Sequence, residues 1–315
     1  MSTKLAKASA AASVLATSLL LSSCVGVSTP LVGSVGSLNG TVITDGSSTV
    51  APLTDAAADL FAAVEPDVDV IVTITGTSAG FRAFCDGETD VSNASRPISE
   101  EEIAACADEG VEFTEIVVAN DGLSVIINPD NDWATDLTTE QLATIWAPES
   151  EGEVMSWNQV DPAFPDEPLV LFGAGSDSGT LDYFTEAING EEGAIRADYR
   201  SSEDDTFTLD GVAKELGGVG FLGLSYVETN PDVVVAASID GVAPSTETVQ
   251  DGTYAPLSRP LFIYVSHSSY ADKPEVTAFV DFYVEKAVAV ADRALVVPLT
   301  NEQVRISLEE LASLK

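Results

Sequence analysis

Residues 74–84 read ITGTSAGFRAF, and within them Gly76-Thr77-Ser78-Ala79-Gly80 fits G-x-S-x-G. That pattern is the nucleophile elbow of serine hydrolases, where a strand turns sharply into a helix and lifts a serine hydroxyl into the open. The flanks suit a strand and a helix. Val68 to Thr75 (VDVIVTIT) alternates and is rich in β-branched residues, and Phe81, Phe84 and Cys85 recur at helical spacing. The turn either arms a nucleophile or holds a ligand without reacting with it.

Two further turns bear on that choice. Asp45-Gly46-Ser47-Ser48-Thr49 follows a strand near Thr41–Thr44, and Ser176-Asp177-Ser178-Gly179-Thr180 follows another over Leu169–Phe172. A helix N-terminus presents unpaired N–H groups and the positive end of the helix dipole, so it suits anions. Small residues let a ligand approach the backbone, and hydroxyls add donors. Ordinary N-capping by Ser or Thr explains any one such turn. Three in one α/β chain would gather at the carboxyl ends of strands, where ligands of open sheets sit.

The hydrolase alternative needs a base for Ser78. The single histidine, His267 in YVSHSSY, follows Ser78 with acids in between, as hydrolase order requires. A lone histidine after a strand is more often a surface or hydrogen-bonded residue, so the non-enzymatic reading is preferred. Cys85 and Cys106 lack partners at zinc spacing, and no calcium loop or G-x-x-x-x-G-K-[ST] phosphate loop occurs. No cofactor or metal is expected.

From about Gly40 strands and helices alternate, the pattern of an α/β architecture. Ala57, Leu60, Phe61 and Val64 form one helical stripe. Ser99 with Glu102, Thr138 with Gln141 and Thr300 with Gln303 are capping boxes that open helices, the first of which stops at Gly110. Glu115–Ala119 and Leu123–Asn128 read as two strands broken by Asn120-Asp121-Gly122. LDYFTEAI is a helix ending at Asn189-Gly190. Gly218–Val227, Val233–Ser238 and Pro260–Ser266 read as strands, and helices from Pro274 and Asn301 finish the chain.

The 315 residues suit two domains of ordinary size, and 45% hydrophobic content rules out a disordered chain. Lys4 and Lys7 followed by the apolar or small stretch Ala8–Leu21 form an export signal too short to span a membrane. The small residues before Cys24 resemble a bacterial lipobox, with Cys24 as the lipidated mature N-terminus. Residues 1–23 are then a signal peptide and 24–39, rich in Gly and Ser, a flexible tether. Cys85 and Cys106 remain, and an even pair in an oxidising compartment favours a disulfide.

Net charge is −38, from 51 acidic and 13 basic residues; loss of the two leader lysines brings it to about −40. Such a surface repels nucleic acid and anionic lipid at long range. Adaptation to high salt accounts for it better than an acidic partner does. An anionic ligand must then be captured by short-range geometry rather than by steering.

The stretches DGSSTVAPL, GTSAGFRAFCDGETDVSNASRPISEEEI, LTTEQLATIW, GAGSDSGTLDYFTEAI, GVGFLGLSYV and RPLFIYVS together resemble the phosphate-binding proteins of bacterial high-affinity phosphate ABC transporters, which are type 2 periplasmic binding proteins. The resemblance covers nearly all the mature sequence and is most specific around Asn93–Ile98 and Ser176–Phe184. It implies two α/β lobes joined by crossing strands, residues 40–120 with 258–315 forming lobe I and 121–257 lobe II, with inorganic phosphate in the cleft. It implies an exported, lipid-anchored monomer, in the periplasm or at the cell surface, that serves ABC permease subunits. Carried over residue by residue, it implies phosphate contacts from Ser48, the amide of Thr49, Thr77, Ser78, Ser178, Gly179 and Thr180.

The best-known members place a ligand-binding aspartate where Arg96 stands, and an arginine shortly before the third turn, where this chain has Phe172-Gly173-Ala174. Arg96 is then expected to supply the cationic contact, since it alone of the arginines sits in a motif that the resemblance places at the cleft. Asp177 is the candidate acceptor for a proton on the ion. The rivals are a binding protein for another oxyanion (sulfate, molybdate) and a secreted serine hydrolase using Ser78 and His267.

Overall fold

A computed structural model describes residues 38–176, 178–202 and 204–315. The leader, Cys24, most of the tether and Asp177 lie outside the described residues. Among the described residues no helix is long and apolar enough to cross a membrane.

The strands are β1 Gly40–Gly46, β2 Val68–Ile74, β3 Val91–Ala94, β4 Phe113–Ile127, β5 Asp136–Leu137, β6 Val170–Ala174, β7 Arg200–Ser202, β8 Gly218–Gly223, β9 Val235–Ala236, β10 Ser238–Ile239 and β11 Ser258–Ser266. Nine of them form one continuous mixed sheet. Its order is β2-β1-β3-β11-β4-β8-β6-β7, with β9 also on β4, while β10 pairs β5 separately. β1 runs parallel to β2 and β3, and β6 parallel to β7 and β8. β11 is antiparallel to β3 and β4, and β4 antiparallel to β8. The fold is the expected mixed α/β class with helices flanking the sheet.

Apolar residues separate into clusters on the two sides of β4. One, including Val42, Phe61, Val118, Ile263, Phe279 and Tyr283, lies under β1–β3 and β11. Another, including Val125, Trp146, Trp157, Phe184, Phe221 and Tyr254, lies with β6 and β8. In the latter, Phe184 stacks on Phe221 at 4.0 Å and Trp146 meets Phe221 edge-on at 5.1 Å. Aromatic burial of this kind makes each cluster a firm support for the turns it carries.

The three capping boxes form as read, each with both reciprocal hydrogen bonds, and the helix opened by Ser99 ends at the left-handed Gly110. Cys85 and Cys106 are joined in a disulfide, with Cα atoms 4.3 Å apart. It ties the helix Thr77–Cys85 to the helix Glu100–Glu109.

Several element readings need correction. Asn120-Asp121-Gly122 is no break, because β4 runs unbroken for 15 residues and is buried on both faces from Val118 onward. Pairing with β11 holds that stretch extended, Asp121 standing opposite Arg259 and Gly122 opposite Ser258. A Cβ on Gly122 would come within 2.5 Å of Val249, so this glycine serves close packing rather than a turn. Gly218–Val227 divides into β8 and a helix over Leu224–Thr229, whose buried Leu224 and Val227 sit at helical spacing. Val233–Ser238 yields the two-residue strands β9 and β10. The first helix ends at Phe61, leaving Val64 outside it and exposed. A helix over Asp205–Lys214, with a weak apolar stripe, was not read at all.

Candidate functional site

The first turn grows from the end of β1. Gly46 has φ +137°, and a Cβ there would fall 2.1 Å from the Asn93 carbonyl oxygen. The buried Asp45 carboxylate accepts the Gly46 N–H at 2.7 Å through Oδ1 and the Thr75 hydroxyl at 2.9 Å through Oδ2. Thus Asp45 fastens the first turn to the approach of the second. Ser47 donates its N–H to Asn93 O at 2.9 Å, and its Oγ accepts the Thr49 N–H at 3.2 Å. The helix Ala51–Phe61 follows, with Pro52 in its first turn and no acid there to compete for an anion.

The second turn packs on the first, since a Cβ on Gly80 would lie 2.4 Å from the Gly46 Cα. Thr77 is buried and shares a 3.1 Å hydrogen bond with the Ser95 hydroxyl. Ser78 is exposed and accepts from Arg96 Nη2 at 2.8 Å. Arg96 also forks onto Glu102, with N–O distances of 2.8 and 2.9 Å, and its guanidinium lies 5.6 Å from the centre of the Phe81 ring. Burial works to raise the Glu102 carboxyl, but hydrogen bonds from Arg96 and Ser99 outweigh it and hold the group below its ordinary range.

In the third turn Ser178 caps the helix Gly179–Asn189, accepting the Thr180 N–H at 3.2 Å. This turn meets the first directly. Thr49 donates its hydroxyl to Gly179 O at 3.2 Å, and Ser48 donates to Asp182 Oδ2 at 3.1 Å. A Cβ on Gly179 would sit 2.5 Å from the Thr49 nitrogen.

The sequence-predicted residues are therefore divided. Ser48, Thr49, Ser178, Gly179 and Thr180 line one cavity of about 380 Å³, together with Asp121. Arg96 lines a second hollow of about 250 Å³, shared with Arg259 and Tyr183. Thr77 and Ser78 line neither of these two, although their turn adjoins the first.

Two charged residues at this place escaped the sequence reading. Arg259, on β11, donates from Nη2 to Thr49 Oγ1 at 3.2 Å and from Nη1 to Glu186 at 3.3 Å. Its guanidinium lies 3.5 Å from the centre of the Tyr183 ring. Arg96 is therefore not alone among the arginines at the turns, and the signal lay in the quoted RPLFIYVS. Asp121 is the other; burial pushes its carboxyl up, opposed by Arg259, whose Nε is 3.7 Å from Oδ2. No hydrogen bond among the described residues reaches either Asp121 Oδ2 or Arg259 Nε.

His267 and Ser78 are engaged apart. His267 Nε2 shares a 2.9 Å hydrogen bond with the Thr114 hydroxyl, and Nδ1 lies 3.8 Å from Glu112. Ser78 has Arg96 as its partner, which is the wrong charge to take its proton. Among the described residues no group of three His, Cys, Asp or Glu is placed to hold a metal ion.

Comparison with known proteins identifies the family. Residues 32–287 match the family model described as a PBP superfamily domain. Protein SphX of Synechocystis sp. is 45% identical over 262 residues, spanning 82% of this chain and 78% of SphX. Phosphate-binding protein PstS of Staphylococcus saprophyticus is 35% identical over 273 residues, spanning 85% of this chain and 82% of PstS. The crystal structure of a possible phosphate-binding protein from Planctomyces limnophilus superposes with a TM-score of 0.84 at 38% identity, covering 88% of this chain and 99% of that one. A phosphate ABC transporter substrate-binding protein from Clostridium perfringens, solved with bound phosphate, superposes with a TM-score of 0.58 at 25% identity, covering 83% and 100%. The functional names among these relatives are those of binding proteins rather than enzymes. The chain belongs to the PBP superfamily and, within it, to the family of the phosphate-binding protein PstS and protein SphX.

Proposed function

We propose that this chain captures inorganic phosphate outside the cytoplasm and delivers it to the permease of an ABC importer. The observation that carries the reading is the meeting of two helix-opening turns. Ser48-Thr49 and Ser178-Gly179-Thr180 are about 130 residues apart in sequence, yet they touch and line one cavity. Hydroxyls and helix N-terminal amides converge there, and the Ser48 and Thr49 hydroxyls, which here donate to Asp182 and Gly179, would turn to an oxyanion without chemistry. The names of PstS and of the phosphate-bound Clostridium perfringens protein favour phosphate over other oxyanions.

In this reading Ser48, Thr49, Thr77, Ser78, Ser178, Gly179 and Thr180 surround the ion and Arg96 contributes positive charge. Residues 40–120 with 258–315 form one lobe and 121–257 the other, closing by rotation about β4 and β11. Cys24 carries the lipid that holds the monomer to the membrane, at the end of the tether. Titration calorimetry on the tetherless chain tests the capture step. Saturable 1:1 phosphate binding without esterase turnover is expected. Absence of phosphate binding, or labelling of Ser78 by a fluorophosphonate that His267→Ala abolishes, would overturn it. Tighter binding of sulfate or molybdate than of phosphate would transfer the site to another oxyanion.

A further inference from the structure

The cavity beside the first and third turns is larger than the ion assigned to it. At about 30 Å³ per heavy atom, the share of one water in the liquid, phosphate fills less than half of its 380 Å³. The volume falls in the range of about 300–1,000 Å³ that small organic ligands occupy.

The rest of the wall has the wrong charge for an anion. Asp55, Asp121 and Asp205 line it, and among the described residues no Lys, Arg or His does. Arg96 and Arg259 line the other hollow. Asp121 is buried, and no hydrogen bond among the described residues reaches its Oδ2. The Arg259 Nε, 3.7 Å from that oxygen, belongs to a guanidinium that Glu186 shares. Asp55 stands one helical turn before Asp59, which already holds Arg293. Asp205 opens the helix Asp205–Lys214 beside Tyr226. Burial, and then the Asp205 carboxylate, push the Tyr226 hydroxyl up, so it stays neutral there.

Three carboxylates on the wall of a cavity that opens onto anion-suited turns oppose an anion unless a positive charge comes with it. A compact metal ion does not suit them, since among the described residues no group of three His, Cys, Asp or Glu is placed to hold one. An organic ammonium does. It needs no fixed coordination shell, it can lie on the face of Tyr226, and its carbon stem can cover Leu224 and Leu295 of the same cavity.

We propose that this cavity receives an alkyl phosphate monoester whose short tail ends in an ammonium group. The phosphoryl end lies among the turns, and the ammonium end among Asp55, Asp121 and Asp205. The proposal rests on the phosphate-capture reading, which supplies the seat for the phosphoryl group. Esterification uses one oxygen and leaves three for the donors of the turns.

Titration calorimetry with inorganic phosphate, O-phosphoethanolamine and ethyl phosphate tests it, the last probe lacking only the ammonium. O-Phosphoethanolamine should bind at least about tenfold tighter than ethyl phosphate. In the double variant Asp55→Asn with Asp205→Asn that preference should shrink to within about twofold. Inorganic phosphate should bind this variant as tightly as before or tighter, because two like charges are gone. Asp55 is exposed, so Asp55→Asn alone should still narrow the preference if the double variant fails to fold. Equal affinity for the two esters, or phosphate binding with neither ester bound, would overturn the proposal and leave phosphate capture intact. A preference that survives both substitutions would overturn it as well. A chain that binds none of the three probes would instead refute the capture reading and this one together.

Discussion

Gly179→Ala asks whether the first and third turns must touch for the ligand to be held. The added methyl would lie 2.5 Å from the Thr49 nitrogen and 2.8 Å from both the Ser48 carbonyl carbon and Ser48 Oγ. Two of those three atoms are backbone, so rotamer changes alone cannot relieve the clash. Gly179 has no left-handed φ and opens a helix, so alanine suits its own backbone and slightly favours the helix. The cost therefore falls on the approach of the two turns. Inserting a methyl into a close-packed contact costs about 1–3 kcal/mol. If the turns meet only when the ligand is enclosed, that cost appears as a phosphate dissociation constant raised about 5- to 150-fold. Titration calorimetry reads the affinity, and thermal melts without and with phosphate separate it from general destabilisation. The ligand-free midpoint should change little, and the phosphate-induced rise should shrink. Native affinity in Gly179→Ala would show that the contact between the turns plays no part in holding the ion.

Arg96→Ala should weaken phosphate binding about tenfold or more, and Arg96→Lys should recover only part of it, because a point charge cannot hold Glu102 in a fork and Ser78 at once; calorimetry on both variants checks this. Reducing the Cys85–Cys106 disulfide, whose partners are 21 positions apart, should lower stability by roughly 3 kcal/mol on the loop-entropy model, read by urea unfolding with and without reductant. Asp198 is held down to about 2 by its hydrogen bond from the buried Arg196. Its folded value lies below its unfolded one, so its contribution is present above about pH 4 and is lost as the pH falls toward 2. Asp198→Asn should flatten that part of the acid-unfolding curve; a curve of unchanged steepness would show that the pair is not responsible.

What was legible in the sequence was local. The helix starts after the turns at Ser48, Gly76 and Ser178 and the three capping boxes each depend on residues within a few positions, and helices open there as read. Cys85 and Cys106 were identifiable because the expectation of an oxidising compartment limits what an isolated pair can be. What failed depended on partners remote in sequence. Asn120-Asp121-Gly122 has turn chemistry, but β11 and the Asn120–Val297 bridge hold it extended. Arg259 becomes a site residue only through Thr49, Asp121, Tyr183 and Glu186, between 73 and 210 positions away for those that it hydrogen-bonds. Spacing along the chain carries no record of such a meeting. Leu224 and Val227 were lost to a short helix because six residues give too little periodicity to tell it from a continuing strand.

The unbroken run of β4 has a mechanical meaning. At its middle, Asp121 pairs with Arg259, Asn120 exchanges N–H···O bonds with Val297 at 2.9 and 3.1 Å, and the Leu123 N–H reaches the Leu257 carbonyl at 2.9 Å. Three passes of the chain are thus laced together where the two apolar clusters divide. A joint of this kind resembles a leaf spring more than a pinned pivot. Were the two lobes proposed above to close about it, the bend would spread over several laced residues as small changes of twist, each resisted by hydrogen bonds that stay closed. Such closure would be self-returning, bringing the turns carried on either side of β4 back to the same register each time.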